Sequence, residues 1–143
     1  MPSSNISSRE VLKKYNVIAV VGASRNPVKD SHSVPLYLKR NGYRIIPINP
    51  AASQIFGETA YPSLPSLPPR IAGQAEVVNV FRPSEELPRI ARETVKMKKE
   101  HGRPFVFWAQ LGLENEEAKR ALTENQIGYI MNLCIRTEYM LRS

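Results

Sequence analysis

A doubly wound α/β fold, with a mainly parallel five-stranded sheet and helices on both faces, is predicted by three observations. Val17-Ile18-Ala19-Val20-Val21 is an unbroken run of β-branched and small apolar residues, the pattern of a strand buried on both sides. That run ends in Gly22-Ala23-Ser24 and gives way to a helical stretch from Asp30-Ser31, so strand, tight turn and helix N-terminus follow one another. Four further apolar runs then alternate with amphipathic stretches, the arrangement that generates βαβ units and a Rossmann-like sheet.

Each element has a local cause. Ser7-Ser8-Arg9-Glu10 is an S-x-x-E capping box that opens a short amphipathic helix ending near Tyr15. The first strand takes residues 17–22. The next helix is expected over 31–41, with Val34, Leu38 and Tyr37 inward, Pro35 tolerated in its first turn and Gly42 as its stop. Residues 43–50 form the second strand, where Pro47 lacks a ladder donor and predicts a bulge or a missing bond. The stretch 51–73, with Pro62, Pro65, Pro68 and Pro69, is expected to wrap over the sheet edge, with one helical turn at 63–67. Residues 76–81 make the third strand, stopped by Arg82-Pro83. Ser84 is expected to cap a helix with Glu85 and Glu86 in its first turn and Lys96, Lys98 and Lys99 in its last. Its buried side is Leu87, Ile90, Ala91, Thr94 and Met97, and His101-Gly102 ends it. Strand four follows at 105–109, a helix at 116–125 with Ala118, Ala121 and Leu122 inward, strand five at 129–131, and a helical tail. No repeat or domain boundary interrupts the series, so residues 1–143 read as a single domain.

Composition narrows the function classes. Hydrophobic content of 42% and charged content of 23% are those of a soluble globular protein. No apolar run approaches the roughly 20 residues of a membrane span, and the first residues carry no export signal, so a cytoplasmic location is expected. A single cysteine, Cys134, excludes an internal disulfide and offers no metal cluster. The net charge of +7 calls for an anionic partner. Residues 1–70 hold nine Lys/Arg against three Asp/Glu, and residues 71–143 hold eleven against ten, so the excess sits in the half that contains the glycine turn. The basic residues are scattered along the chain without a stripe, which favours a small polyphosphate ligand over nucleic acid.

Ligands of doubly wound sheets bind beyond the carboxyl ends of the strands. The candidate positions are therefore Gly22, Ala23 and Ser24, then Asn49 and Pro50, Phe81 and Arg82, and Gln110, which follow four different strands. Gly22-Ala23-Ser24 lacks the later glycines of G-x-G-x-x-G and on its own is also the signature of an ordinary strand–helix turn. Arg25 and Lys29 are either phosphate partners or solvated surface charge, with Lys29 the stronger candidate. Ser31 and His32 stand at the helix start, where His32 either donates to phosphate or braces the helix. Arg82 reaches a phosphate or pairs with Glu85 or Glu86. Trp108 is expected in the core, and Cys134 as a small buried hydrophobe, with the sharper alternative that it meets a ligand thiol.

Val-Val-Gly-Ala-Ser at 20–24, Ile-Asn-Pro at 48–50, Val-Phe-Arg at 80–82, Trp-Ala-Gln-Leu-Gly at 108–112 and Asn-Leu-Cys-Ile at 132–135 together resemble the CoA-binding domain family. These are single-domain proteins similar to the N-terminal domain of the succinyl-CoA synthetase α subunit. The resemblance covers about residues 17–139 and implies coenzyme A or an acyl-CoA as ligand, no catalysis or metal of the chain's own, and a possible homo-oligomer or partner subunit, without nucleic acid or membrane. It places Asn49 and Pro50 at the adenosine end of the site. Asn132 departs from the aspartate common in the family and inherits no acid role. The synthetase's phosphohistidine belongs to a second domain for which 143 residues leave no room, so His32 and His101 inherit no catalytic role. An NAD(P)-dependent oxidoreductase is the alternative reading; it calls for an acid where Asn49 stands and for a full glycine triplet. An acyl-CoA ligase or transferase calls for the missing second domain.

Overall fold

A computed structural model describes residues 3–142. The elements in order are α1 (Ser8–Lys14), β1 (Val17–Val21), α2 (Asp30–Arg40), β2 (Arg44–Ile48), β3 (Gln54–Ile55), β4 (Glu58–Thr59), α3 (Pro69–Ala72), β5 (Val77–Val80), α4 (Leu87–His101), β6 (Val106–Ala109), α5 (Glu116–Glu124), β7 (Gly128–Ile130) and α6 (Ile135–Leu141). Five strands pair in parallel in the order β2-β1-β5-β6-β7. Both faces are covered. Val78, Val80 and Phe107 pack under α3, α4 and α5, while Ile18, Val20, Trp108 and Ile130 pack under α1, α2 and α6. Two-sided burial is why these strands read as continuous apolar runs. No helix among the described residues is long and apolar enough to cross a membrane.

The strand order has a direct consequence. From β1 the chain moves outward to β2, then returns across β1 to lay down β5 on its other side. The loops leaving β1 and β5 therefore diverge to opposite faces and open a crevice between them. The helices that follow β1, β5 and β6 run back against the strands, so their N-termini lie at the carboxyl edge of the sheet and their C-termini at the amino edge.

Most elements fall where the sequence puts them, and the departures have causes. Ser7 caps α1, its Oγ accepting from the Glu10 N–H at 3.3 Å. The register of β2 runs unbroken through Pro47, which stands opposite Val20, so neither a bulge nor a lost bond to β1 occurs. β2 is an edge strand, and Pro47 uses its outer side, where its carbonyl accepts from Tyr61 at 3.0 Å. The ring thus takes the one side where no ladder partner is required. Within 51–73 the expected turn forms as a 3₁₀ turn at Leu64–Ser66, but the β3–β4 hairpin and α3 were not anticipated. The hairpin turns on Phe56 and Gly57, both at positive φ (58° and 75°). A phenylalanine gives no turn signal at the first of these.

Ser84 does not cap the long helix. It opens a separate 3₁₀ turn with Glu85 and Glu86, α4 begins at Leu87 with Pro88 in its first turn, and Ser84 Oγ accepts from the Glu114 N–H at 3.1 Å. Ala118 and Leu122 of α5 are buried as expected, but Ala121 is only half-buried and Lys119 is enclosed completely, its Nζ 2.5 Å from Glu114 and 2.7 Å from Glu116. Burial disfavours the Lys119 ammonium, yet those two hydrogen bonds outweigh it and hold its pKa above the ordinary lysine value. Residues Ser3–Asn5 run along the outer side of β7: the Asn5 N–H donates to Tyr129 O at 3.0 Å and the Met131 N–H to Ser3 O at 2.7 Å.

Candidate functional site

The glycine turn sits at the mouth of the crevice. Gly22 has φ +90°, and a Cβ there would lie 2.9 Å from the Phe81 carbonyl oxygen. Both facts demand glycine: the backbone is left-handed and the neighbouring loop passes too close for any side chain. The turn beyond it is pinned from within. The Ser24 N–H donates to Ser31 O at 3.1 Å, Ser24 Oγ accepts from Asn26 at 3.0 Å, and His32 Nδ1 donates to the Ser24 carbonyl at 2.6 Å. Asn49 ties in the next loop, its Nδ2 donating to Ala23 O at 2.8 Å while its Oδ1 accepts from Ala51 and Ala52.

Two cavities open from this turn. The first, about 490 Å³, is lined by Gly22, Ala23, Ser24, Lys29, Ser31, Asn49, Pro50, Phe81 and Arg82, together with the loop at Pro62–Leu64 and with Glu86, Arg89 and Glu93. The second, about 650 Å³, is bounded by Asp30, Ser31, Val34, Phe81, Arg82, Gln110, Leu111, Leu113, Cys134, Arg136 and Thr137. Ser31, Phe81 and Arg82 line both, so the chambers share a wall.

Ten of the twelve candidate positions line one or both cavities. Arg25 and His32 do not: Arg25 is exposed, and His32 is turned toward Ser24, with its ring 4.9 Å from Phe56. Arg82 holds Glu86 with Nε at 3.2 Å and Nη2 at 2.8 Å, the ion-pair alternative at that position. Lys29 makes no ion pair among the described residues. Gln110 is buried, and its Oε1 accepts from Asn79 at 3.1 Å and from the Ile135 N–H at 3.0 Å. Asn79 itself is fully enclosed in β5, and its Oδ1 has no hydrogen-bond partner among the described residues.

The sequence reading missed the ladder Arg82–Glu86–Arg89–Glu93, whose spacings of three and four residues carried the signal. The Arg82 hydrogen bonds, with Arg89 beside them, hold the Glu86 carboxyl below its ordinary value. Cys134 needs correction too. It is half-exposed on the wall of the second cavity rather than a buried hydrophobe. Burial pushes its thiol pKa up, but hydrogen bonds from Thr137, Gln110 and the Arg136 backbone outweigh it and lower it below the usual thiol value. Trp108 is core, fully buried with Nε1 donating to Leu133 O at 2.9 Å.

The fit to a phosphate-bearing ligand rests on the turn itself. Gly22, Ser24 and the start of α2 at Ser31 line one cavity, with Lys29 and Arg82 beside them.

The chain is similar to several known proteins. An uncharacterized Bacillus subtilis protein, YneT, is 42% identical over 136 residues, 95% of this chain and 94% of its own length. A hypothetical protein from Pyrococcus horikoshii superposes with a TM-score of 0.84 at 29% identity, over 95% of this chain and 92% of that one. A Thermus thermophilus protein does so with a TM-score of 0.80 at 31% identity, over 94% and 98%. The fold also recurs as part of a larger enzyme, an acetyl-coenzyme A synthetase of Ca. Korarchaeum cryptofilum, at TM-score 0.69 and 24% identity, where 86% of this chain matches 27% of the enzyme. Residues 16–140 match the model of the CoA binding domain, and the chain belongs to that family.

Proposed function

We propose that this chain binds coenzyme A or an acyl-CoA in the two joined cavities and performs no catalysis of its own. One observation carries the reading: the cavity at the glycine turn and a second chamber share the wall formed by Ser31, Phe81 and Arg82. A ligand with a phosphorylated nucleotide at one end and a long arm at the other matches that shape. In this reading the Ser24 hydroxyl, Lys29 and Arg82 take the phosphates, and Asn49 and Pro50 border the adenosine. The arm passes Phe81 toward Gln110 and Cys134. Binding rather than turnover is favoured because no histidine lines either cavity, His32 being turned toward Ser24 instead.

The dinucleotide alternative is disfavoured by Asn49. Both of its side-chain atoms are occupied by backbone partners in its own and the neighbouring loop, which leaves no acceptor for a ribose diol. Calorimetric titration tests the choice, with CoA expected to bind more tightly than NAD. Equal or tighter NAD binding overturns the reading. Native mass spectrometry of the untreated protein is expected to show a co-purified CoA-sized adduct.

A further inference from the structure

The cations that are scattered along the sequence are not scattered in space. We infer that the amino edge of the sheet, opposite the two cavities, is a docking surface for single-stranded nucleic acid. Six residues make the surface: Lys13 and Lys14 in the last turn of α1, Arg44 at the start of β2, Lys98 in the last turn of α4, Arg103 before β6 and Arg142 after α6. All but the half-buried Lys98 are exposed, and none makes an ion pair with a carboxylate among the described residues.

Ring contacts and hydrogen bonds link Lys14, Lys98, Arg103 and Arg44. Lys14 Nζ lies 5.5 Å from the Tyr15 ring, Tyr15 stacks on Phe105 at 5.3 Å, and Phe105 carries Lys98 at 5.9 Å and Arg103 at 5.5 Å. Arg103 reaches Gly73 O at 3.0 Å, and the Arg44 N–H reaches Asn16 O at 2.9 Å. The helix dipole accounts for lysines at helix C-termini. It does not account for Arg44 and Arg103, which stand outside helices at the same edge. Nor does it explain why Glu76, the carboxylate between them, turns its Oε1 inward to the Asn16 and Val17 N–H groups at 2.9 and 3.1 Å.

The choice of nucleic acid over an acidic protein rests on the aromatic rings. A hollow of about 300 Å³ beside the patch is lined by the half-buried Tyr15 and Tyr139 together with Lys13, Lys14 and Arg142, while Tyr43 behind them is buried with its hydroxyl donating to Leu12 O at 2.6 Å. Arg142 lies 3.5 Å over the Tyr139 ring. Base stacking beside phosphate neutralisation uses both features, whereas a carboxylate uses only the cations.

The test is fluorescence anisotropy with a labelled oligo-dT of about 20 nucleotides. Six phosphate contacts on a single strand give a salt slope of about −4, so raising salt about threefold weakens binding on the order of 80-fold. The triple variant Lys14→Glu, Arg44→Glu, Arg103→Glu is expected to lose binding at least about tenfold and to flatten that slope. A control triple, Arg25→Glu, Arg92→Glu, Arg120→Glu, makes the same change in net charge at exposed positions outside the patch. Tyr139→Leu keeps an apolar side chain without the ring and is expected to weaken binding on the order of tenfold with the slope retained. The proposal fails if the oligonucleotide does not bind, if both triples lose binding equally, or if poly-glutamate of matched charge competes as well as oligo-dT. The last outcome would assign the edge to acidic proteins instead.

Discussion

At the carboxyl edge of the sheet, cations and carboxylates interleave: Arg82 and Arg89 share Glu86, Arg89 also holds Glu93, and Lys29 stands alone beside the turn. At the amino edge, Lys13, Lys14, Arg44 and Arg103 stand exposed without carboxylate partners among the described residues. Acids stand in the first turns of α1, α2 and α5 and basic residues in the last turns of α1, α2 and α4, while α5 ends on Glu124. The difference shows that a charge excess in one half of the sequence does not locate a ligand. Of the nine basic residues in the first seventy, only Arg25 and Lys29 follow the glycine turn, and only Lys29 lines a cavity there. A parallel sheet sorts charge by helix polarity, not by position along the chain.

Glycines separate the two edges most sharply. Gly22 and Gly42 both have positive φ, but a Cβ on Gly22 would meet Phe81 O at 2.9 Å while one on Gly42 would meet nothing within 4 Å. Gly22→Ala is expected to cost about 3 kcal/mol or more and to abolish CoA binding, against about 1 kcal/mol and intact binding for Gly42→Ala. Equal losses in urea denaturation would erase the distinction. Ligand titration comes next. Lys29→Ala is expected to weaken CoA about tenfold, and Arg82→Ala by less, about threefold, because Glu86 already competes for that guanidinium. The amino-edge triple variant should leave CoA affinity within about twofold, since none of its three residues lines either cavity. A larger change would mean that the edges are coupled.

The smallest effect expected is at Cys134. With its thiol pKa lowered, more of it is thiolate at neutral pH than in a free cysteine, so iodoacetamide should react faster and the rate-against-pH midpoint should fall below the ordinary thiol value. CoA should slow that reaction and oligo-dT should not. Protection by neither would remove Cys134 from the path of the ligand arm.

The sheet was legible because its strands are buried on both faces and so appear as unbroken apolar runs, and its ligand edge because polar residues recur just past those runs. What stayed hidden depended on partners distant in sequence. Phe56 at positive φ gives no turn signal; its ring packs on His32, twenty-four positions away. Lys119 is enclosed, which no periodicity predicts for a lysine; Glu114 and Glu116 hold it there. Cys134 reads as a hydrophobe until Thr137 and Gln110 are seen against its sulfur. Gly22 was recognised as a turn residue, but the reason that nothing else fits, the Phe81 carbonyl, belongs to the loop just past β5, about sixty residues later.

Tyr61 along β2 and Ser3–Asn5 along β7 also bear on how copies of this chain can meet. An open sheet normally offers two rows of unpaired backbone groups on which a foreign strand can template itself. Here the row beside β2 is taken by Pro47, which has no N–H, and by Tyr61, and the row beside β7 by the Ser3–Asn5 segment. Strand addition is thereby blocked at both margins, and self-association is left to the helical faces.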